Sequence, residues 1–225
     1  MALKIYYHPA STTSRPLMLF AREQKIDADF VLVDLFTGEH MKEPYSNKNP
    51  NRLVPMLEDG DFRLTESSAI LKYLADLSNS PAYPKDLKRR AKVNEMMDWF
   101  NTQVCRDFAY GFVYPQIFPG HARADAAVQA GTLAWGGERA RTWLQVLDQN
   151  LLAGRKYLCG DEITIADYFG ACFTALGEIT RSDYSAYPNV SAWLARMKQL
   201  ASWKPVFEAI DGYAASMKDK SFAKL

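Results

Sequence analysis

Hydrophobic positions in the first eighty residues alternate between strand-like and helix-like spacings. The run Leu3–Tyr7 is rich in β-forming residues and is followed by Pro9, which predicts a short strand. Across residues 14–25, apolar side chains recur on one helical face, which predicts a helix. The whole stretch predicts the order β-α-β-α-β-β-α, a mixed sheet with helical cover. The remaining predicted elements are strands at 30–33, 54–57 and 62–64, a short helix within 37–51, a hairpin turn at 58–61 and a helix at 67–77.

The pattern changes after residue 77. Residues 78–84 contain two prolines among polar residues, which is typical of a linker between domains. Beyond it, apolar residues follow helical spacing only, and the four residues from Thr164 to Asp167 match a capping box with Asp in place of Glu. We therefore expect an α/β domain followed by an all-α domain. The helices are predicted at 87–113, 124–152, 165–179, 190–200 and 203–215.

The composition is that of an ordinary globular protein with almost no net charge. Hydrophobic residues make up 48% and charged residues 24% of the 225 residues, which argues against disorder. The 27 basic and 26 acidic residues form no basic block, so we expect neither nucleic acid nor a membrane surface as partner. The start of the chain does not resemble a signal peptide, and no apolar run reaches about 18 residues. We expect a soluble, cytoplasmic protein.

The three cysteines, Cys105, Cys159 and Cys172, are too few and too widely spaced for a disulfide framework or a zinc cluster. We expect no metal, and we expect these thiols to be buried or half-buried packing residues. The first hundred residues contain no thiol at all.

Four consecutive hydroxyl residues, at positions 11–14, stand between the first predicted strand and helix, and Arg15 follows them. They can be ordinary helix caps. They can also present hydroxyl and backbone N–H donors to an anion at the helix N-terminus. The stretch by itself does not decide between the two.

Two further stretches allow both a structural and a ligand-binding interpretation. Pro55 follows Val54 at a predicted strand start; a cis bond there would free the backbone of Val54 to pair with an extended peptide. Glu66 and Ser67 begin a predicted helix, where an acid and a hydroxyl are common. Together they could bind the ammonium and carboxylate of an amino-acid head group.

Taken in order, these stretches closely resemble cytosolic glutathione S-transferases of the serine type, the delta and theta classes. The resemblance rests on residues 6–15 (YYHPASTTSR), 38–40 (GEH) and 60–71 (GDFRLTESSAIL), and on the capping box at 164–167. In these classes the functional serine stands four residues before the arginine, which is the position of Ser11. The resemblance covers the whole chain.

The family resemblance implies a fold, a co-substrate and an assembly. The expected fold is a thioredoxin-like glutathione-binding domain over residues 1–80 followed by an all-helical domain over residues 87–225. Glutathione is the expected co-substrate, a small hydrophobic electrophile the second substrate, and a homodimer the expected assembly. Conjugation of the glutathione thiolate to the electrophile is the expected reaction.

The resemblance also assigns roles to single residues. Ser11 would donate a hydrogen bond to the sulfur of glutathione, with Thr12, Thr13 and Ser14 as rivals. Glu66 and Ser67 would bind the γ-glutamyl end, and Val54, with Pro55, would pair with the cysteinyl backbone. His40 would face the glycyl carboxylate. Theta-type enzymes often carry a lysine where Leu53 stands, which leaves Arg52 as a candidate substitute.

Seven aromatic residues between positions 99 and 118 are candidates for the wall of the electrophile pocket, although any one of them can be a core residue. Tyr110 and Tyr114 are chosen here, with Arg106 as a polar contributor.

Two other functions remain open for a protein of this fold, and a third is disfavoured. Relatives of this type include glutathione-dependent dehalogenases and peroxidases, and a non-catalytic glutathione-binding carrier can share the fold. Thiol–disulfide exchange needs a protein thiol at the helix start, and residues 11–14 provide none.

Overall fold

A computed structural model describes residues 3–225. The N-terminal part contains a four-stranded sheet in the order β2-β1-β3-β4. Its strands are β1 (Leu3–Tyr7), β2 (Ala28–Leu32), β3 (Met56–Asp59) and β4 (Phe62–Leu64). β1 pairs in parallel with β2 and antiparallel with β3, and β3 pairs antiparallel with β4. With helices α1 (Arg15–Glu23), α2 (Tyr45–Lys48) and α3 (Ser67–Leu77), this is the thioredoxin-like arrangement expected from the sequence.

The two faces of β1 contribute to two different cores because successive strand residues point to opposite sides. Leu3 and Ile5 pack into the large core with α1 and α3. Tyr6 faces a smaller cluster, in which it packs beside Tyr45 of α2 and Val54. The segment just before β3 is thereby held against the carboxyl end of β1.

The rest of the chain is helical. A segment of wider, π-type turns, Phe100–Val113, continues directly from α4, and a second one, Leu147–Leu151, follows α6. One isolated bridge, Tyr157 to Gly160, is the β pairing found beyond residue 86. The helices are α4 (Leu87–Trp99), α5 (Tyr114–Ile117), α6 (Ala126–Val146), α7 (Ile165–Ala175), α8 (Pro188–Met197) and α9 (Trp203–Ser216), with 3₁₀ turns at Glu39–Met41, Pro119–His121 and Leu176–Thr180.

The two halves share one continuous core rather than meeting at a polar surface. The ring of Phe20 on α1 meets Tyr168 on α7 edge to face, with 5.4 Å between centroids. The guanidinium of Arg15 lies over the ring of Phe207 on α9. Contacts with α7 and α9 of the helical half therefore hold α1 and its first residue in place.

Close packing also fixes the π-type segment. A side chain at Gly136 of α6 would collide with the backbone of Gly111, so the two helices approach each other more closely than a Cβ atom allows. This contact holds the wall that Phe100–Val113 presents toward the sheet.

Several predicted bounds shift by a few residues, and two differences bear on the cleft described below. The strand predicted at 54–57 begins only at Met56, so Val54 and Pro55 precede the ladder. The helix predicted at 87–113 changes to π-type turns at Phe100 and continues without a break through α5 to Ile117. Among residues 3–225, no helix combines the length and apolar character that a membrane span requires.

Candidate functional site

A cleft of about 470 Å³ lies between the loop that precedes α1 and the π-type segment of the helical half. This volume is in the range of small-molecule sites. Of the residues selected from the sequence, Ser11, His40, Val54, Tyr110 and Tyr114 line it. Its other lining residues are His8, Ala10, Thr12, Thr13, Leu35, Phe36, Leu53, Cys105, Phe118, Gly120 and His121.

The loop from His8 to Ser14 forms one side of the cleft and is held by its own hydrogen bonds. Ser11 N–H donates to the carbonyl of His8 at 3.0 Å, and Ser14 N–H donates to Ser11 Oγ at 3.2 Å. Ala10 N–H donates to His8 Nδ1 at 3.2 Å, and burial lowers the pKa of that imidazole. The loop therefore places Ser11 ahead of the positive end of the α1 dipole.

Beneath this loop lies a fully buried cation, Arg15, which is 0% exposed. Its guanidinium donates to the carbonyl of Ala10 at 3.1 Å and to Thr12 Oγ1 at 3.3 Å. Its Nε atom has no partner, and within residues 3–225 no carboxylate lies within salt-bridge distance of it. Burial lowers the pKa of Arg15, yet an arginine keeps its charge in proteins. Asp211 raises this pKa through its charge but forms no ion pair with Arg15, so the positive charge under the loop is only partly compensated and favours an anion in the cleft.

The four hydroxyl residues are not equivalent. Ser14 is fully buried and accepts from the backbone N–H of His8 at 3.4 Å. Thr13 donates to the carbonyl of Val54 at 3.0 Å, and Ser11 Oγ lies 3.0 Å from Thr13 Oγ1. Thr12 Oγ1 accepts twice, from Arg15 and from the phenol of Tyr114 at 2.9 Å. The proton of Thr12 is therefore free of a protein acceptor among the described residues, whereas Ser11 has one in Thr13.

Val54 presents its backbone at the opposite edge of the cleft. The bond to Pro55 is cis, and Val54 lies outside the β1–β3 ladder, whose last pair is Tyr6 with Met56. Its carbonyl accepts from Thr13, and its N–H donates to no atom of residues 3–225. A backbone with a free donor at a sheet margin can pair with an extended peptide.

Glu66 and Ser67 lie at the start of α3. Glu66 is exposed and adopts a left-handed φ of +65°, which directs the chain into the helix. Ser67 is buried, and its hydroxyl has no hydrogen-bond partner in the described part of the chain. The first backbone N–H groups of a helix also lack internal partners. Neither residue lines the cleft itself, but Glu66 is close enough to raise the pKa of Cys105, which does.

The third edge of the cleft is formed by His40 and Leu53. The Nδ1 atom of His40 is buried without a hydrogen-bond partner among residues 3–225. Leu53 is 60% exposed although it is apolar, and Arg52 beside it is exposed with a φ of +55°. Arg52 and Pro55 do not line the cleft.

Aromatic rings form the wall opposite the loop. Tyr110, Tyr114, Phe118 and His121 pack against one another with centroid separations of 4.9–6.1 Å. Tyr114 is buried, and burial raises the pKa of its phenol, which keeps it a neutral donor to Thr12. Burial lowers the pKa of His121, so the ring favours its neutral form. The wall is apolar and suits a hydrophobic ligand.

The structure does not bring Arg106 to this wall. Its guanidinium is exposed, pairs with the buried carboxylate of Asp107 and lines a separate surface depression beside Trp135. Cys105 lines the cleft instead. Cys105, five residues before Tyr110 in this π-type segment, lines the cleft together with it, whereas Arg106 meets Tyr110 only in the neighbouring depression. No feature of the sequence marked this change of spacing.

The thiol of Cys105 is held in its neutral form. Burial raises its pKa to about 11, and the charge of Glu66 adds to this effect. Cys159 is half-buried and Cys172 is buried, as expected for packing residues. Among residues 3–225, no group of three or more potential ligands is placed to hold a metal ion. The cleft thus offers hydrogen-bond donors and a buried positive charge, and it contains no ionised thiol of its own.

Comparison with known proteins identifies the family. Residues 1–76 match the model of the glutathione S-transferase N-terminal domain, and residues 137–201 match that of the C-terminal domain. Human glutathione S-transferase theta-1 is 32% identical over 214 residues, which cover 94% of this chain and 85% of that protein.

Solved structures agree with this assignment. Human glutathione transferase theta-2, in complex with glutathione and an unknown ligand, superposes with a TM-score of 0.87 at 25% identity, over 100% of this chain and 94% of that one. A glutathione transferase homologue from Drosophila mojavensis with bound glutathione gives a TM-score of 0.84 at 26% identity, over 100% and 99% of the two chains. The chain belongs to the glutathione S-transferase family, and its relatives include theta-class enzymes.

Proposed function

We propose that this protein conjugates the thiolate of glutathione to small hydrophobic electrophiles. The observation that carries the proposal is the composition of one cleft. A hydroxyl-rich helix start above a buried cation faces the backbone of Val54, whose N–H has no partner among residues 3–225, on one side and an aromatic wall on the other. A peptide thiol and an apolar molecule can therefore occupy it together.

Glutathione is placed by matching its three charged or polar parts to two edges of the cleft and to the start of α3, which lies outside the cleft lining. The cysteinyl backbone pairs with Val54, which Pro55 follows. The γ-glutamyl head group binds at the start of α3, its ammonium to Glu66 and its carboxylate to Ser67. This placement is supported by the unpartnered hydroxyl of Ser67 and the exposed carboxylate of Glu66.

The glycyl carboxylate lies at the remaining edge, beside His40. Leu53 supplies no charge there, so Arg52, which is exposed and adjacent, is the cation that can reach this end. An Arg–carboxylate contact at an exposed position is weak, about 0–1 kcal/mol. We therefore place most of the binding free energy at Val54 and at the start of α3.

Ser11 stabilises the thiolate by donating its hydroxyl proton to the sulfur. A free thiol with a pKa near 8.5 is only a few per cent ionised at neutral pH, and the thiolate is the nucleophile. Each unit of lowered pKa requires about 1.4 kcal/mol of preferential stabilisation of the anion. A hydrogen bond to a charged group contributes about 1.5–3 kcal/mol, which corresponds to one or two units. Arg15 and the α1 dipole add to this.

Thr12 is the rival for this role because its proton has no acceptor among residues 3–225 and its oxygen receives two donors, one of them cationic. Polarisation by such donors strengthens a hydroxyl as a donor. The two assignments separate on substitution: Ser11→Ala and Thr12→Val each remove one hydroxyl. Comparison of their effects on bound glutathione identifies the donor.

The second substrate binds against Tyr110, Tyr114 and Phe118, with His121 at the rim. These rings offer apolar area and edge-on polar contacts, which favours flat or halogenated electrophiles over charged ones. Arg106 points away from this wall and is not part of the proposed pocket.

The assembly and the location of the protein complete the proposal. We propose a homodimer in the cytoplasm, as is usual for the family to which the chain belongs. Light scattering at micromolar concentration checks the assembly, since a mass near the 25.5 kDa of one chain would exclude a stable dimer.

One experiment separates transfer from simple binding. The protein is loaded on immobilised glutathione, and turnover is then measured with an aryl halide, an alkyl halide, an epoxide and a hydroperoxide. Conjugation of at least one carbon electrophile at a rate above that of free glutathione supports the proposal. Reaction with the hydroperoxide alone would indicate a peroxidase, and binding without any turnover would indicate a carrier.

A further inference from the structure

A chain of hydrogen bonds joins the side chain of Ser11 to the backbone of Val54 through a single residue, Thr13. The oxygens of Ser11 and Thr13 lie 3.0 Å apart, and Thr13 donates to the Val54 carbonyl at 3.0 Å. From the other side, the backbone N–H of Ser14 donates to Ser11 Oγ at 3.2 Å. The proposed thiolate donor and the proposed peptide-pairing group are therefore only two hydrogen bonds apart.

In the free enzyme, the number of hydroxyl protons determines which group donates in each of these hydrogen bonds. A carbonyl oxygen can only accept, so the bond between Thr13 and Val54 uses the single hydroxyl proton of Thr13. Thr13 then has no proton left for Ser11, and the Ser11–Thr13 bond must use the proton of Ser11. In this state the proton of Ser11 points away from a ligand's sulfur.

We propose that Thr13 is a positioning residue that couples the pairing of glutathione with Val54 to the release of the Ser11 proton toward sulfur. When the cysteinyl N–H of glutathione donates to the Val54 carbonyl, Thr13 turns its proton to Ser11 Oγ. Ser11 then turns its own proton to the thiolate. The inference rests on the proposed function, because it assumes glutathione in this cleft and Ser11 at its sulfur.

The reversal requires no movement of heavy atoms and leaves no group without a partner. The 3.0 Å contact between Ser11 and Thr13 is kept, and only its donor and acceptor exchange roles. The Val54 carbonyl, which can accept two hydrogen bonds, keeps the amide donor after the hydroxyl of Thr13 has turned to Ser11. The new bond from Ser11 to a thiolate is charge-assisted, and such bonds are about twice as strong as neutral ones. The reversed direction is therefore favoured once the anion is present.

The coupling also explains how the cleft distinguishes glutathione from small thiols. A small thiol without an amide N–H at the matching position cannot occupy the Val54 carbonyl, and Thr13 keeps its original direction. The Ser11 proton then remains on Thr13, and the small thiol is not activated.

The first test compares Thr13→Val, which removes the hydroxyl at nearly constant shape, with Thr13→Ser, which keeps it. The pKa of bound glutathione is measured from the ultraviolet absorbance of the thiolate. We expect Thr13→Val to raise this pKa by about half a unit to one unit, because Ser11 Oγ then lacks the donor that polarises its hydroxyl in the complex, and Thr13→Ser to stay near the wild type. The value of kcat at neutral pH falls with the pKa shift, while KM for glutathione stays within about twofold.

A raised KM with an unchanged pKa in Thr13→Val would overturn the proposal, because it would indicate a purely structural residue. An equal rise of the pKa in Thr13→Ser would overturn it as well, because the hydroxyl would then not be the cause.

The second test removes the ligand's part of the coupling. In a depsipeptide analogue of glutathione, an ester oxygen replaces the cysteinyl N–H, so nothing displaces Thr13 from Val54. Relative to the free thiols, we expect the wild type to lower the pKa of the analogue by about half a unit to one unit less than that of glutathione. In Thr13→Val this difference disappears. An equal difference in both proteins would overturn the coupling.

Ser11→Ala, measured in the same series, distinguishes the failure of this inference from that of the proposed function. If Ser11→Ala raises the pKa and Thr13→Val does not, the coupling is wrong and the role of Ser11 stands. If Ser11→Ala leaves the pKa unchanged, the assignment of Ser11 is wrong and the coupling falls with it.

Discussion

The start of α1 and the start of α7 both contain a fully buried charge. The two charges differ in how completely they are paired by hydrogen bonds. At α7, the carboxylate of Asp167 accepts four hydrogen bonds of 2.8–3.0 Å, from the backbone and hydroxyl of Thr164, from Leu158 N–H and from Trp193 Nε1. At α1, Arg15 makes two longer bonds, and its Nε has none. A fully satisfied helix start can only support the fold, whereas an unsatisfied one can still bind a ligand.

The hydroxyls show the same contrast. The hydroxyl of Thr164 at α7 is fixed by Asp167 at 2.9 Å. At α1, Thr12 has a proton without an acceptor, and Thr13 and Ser11 share a bond whose direction can reverse. Hydrogen-bond partners that can exchange thus distinguish the proposed ligand-binding start of α1 from the start of α7, whose hydroxyl and carboxylate are already paired.

The largest expected effect is on stability, from Asp167→Ala. The substitution leaves four buried donors without an acceptor, which we expect to cost about 4 kcal/mol in the free energy of unfolding. Urea denaturation followed by circular dichroism measures it. Asp125→Ala is the matched control, since Asp125 is an exposed N-cap of α6 that accepts one backbone N–H. It should cost about 1 kcal/mol. Equal losses would contradict the contrast.

The next largest effect is expected on the reactivity of Cys105, the thiol that lines the cleft. With a pKa of about 11, Cys105 is ionised in about one molecule in a thousand at pH 8, about a hundredfold less than a thiol of ordinary pKa 9. We expect iodoacetamide to modify Cys105 at least about a hundredfold more slowly than a cysteine peptide, as measured by peptide mass spectrometry. The unfolded protein is the control. A reaction at the peptide's rate in the folded state would show that the cleft ionises its own thiol.

A smaller effect is expected from Arg15→Met. A long apolar side chain replaces a buried cation that has few partners, and such exchanges are often close to neutral. The loss of unfolding free energy should be at least about 2 kcal/mol smaller than for Asp167→Ala. The pKa of bound glutathione should rise, because the positive charge beneath the loop is gone. A variant as unstable as Asp167→Ala with an unchanged thiol pKa would place Arg15 among the purely structural charges.

The smallest effect concerns Tyr114→Phe. The substitution removes one donor from Thr12, which keeps the bond from Arg15, so we expect a loss of about 1 kcal/mol. Tyr110→Phe is the control, since Tyr110 is 49% exposed and its hydroxyl has no partner among residues 3–225. It should leave the urea midpoint unchanged. A loss of about 3 kcal/mol in Tyr114→Phe would mean that Thr12 depends on the phenol.

Most of the secondary structure was predictable because it follows local patterns. The bounds of β1, β4 and α3 agree with the sequence prediction, as does the capping box that begins α7. The short helix α5 and the turn Pro119–His121 were not predicted, because Pro115, Pro119 and Gly120 interrupt the helical pattern there. The type of helix at Phe100–Val113 was also missed, since hydrophobic spacing over a few turns does not distinguish i→i+4 from i→i+5.

The residues around the cleft were predictable only in part, because contacts between positions far apart in the sequence decide their roles. Sequence reasoning selected Ser11, Val54 and His40, which the structure places around one cleft. The residues alone could not rank the four hydroxyls, because their partners are distant along the chain, and only the family resemblance favoured Ser11. Thr13 binds a carbonyl 41 positions away, and Thr12 accepts from a phenol 102 positions away. Which hydroxyl has a free proton is decided by tertiary contacts of this kind.

The central claim is that a hydroxyl at the start of α1, that of Ser11, stabilises the sulfur of glutathione as an anion. The most direct test is the ultraviolet titration of the thiolate in the glutathione complexes of the wild type and of Ser11→Ala, with Thr12→Val in parallel. A hydrogen bond of about 1.5–3 kcal/mol predicts a pKa one to two units higher in Ser11→Ala. The rise of kcat with pH should move upward by the same amount. An unchanged pKa in Ser11→Ala, with a raised one in Thr12→Val, would contradict the claim and make Thr12 the donor.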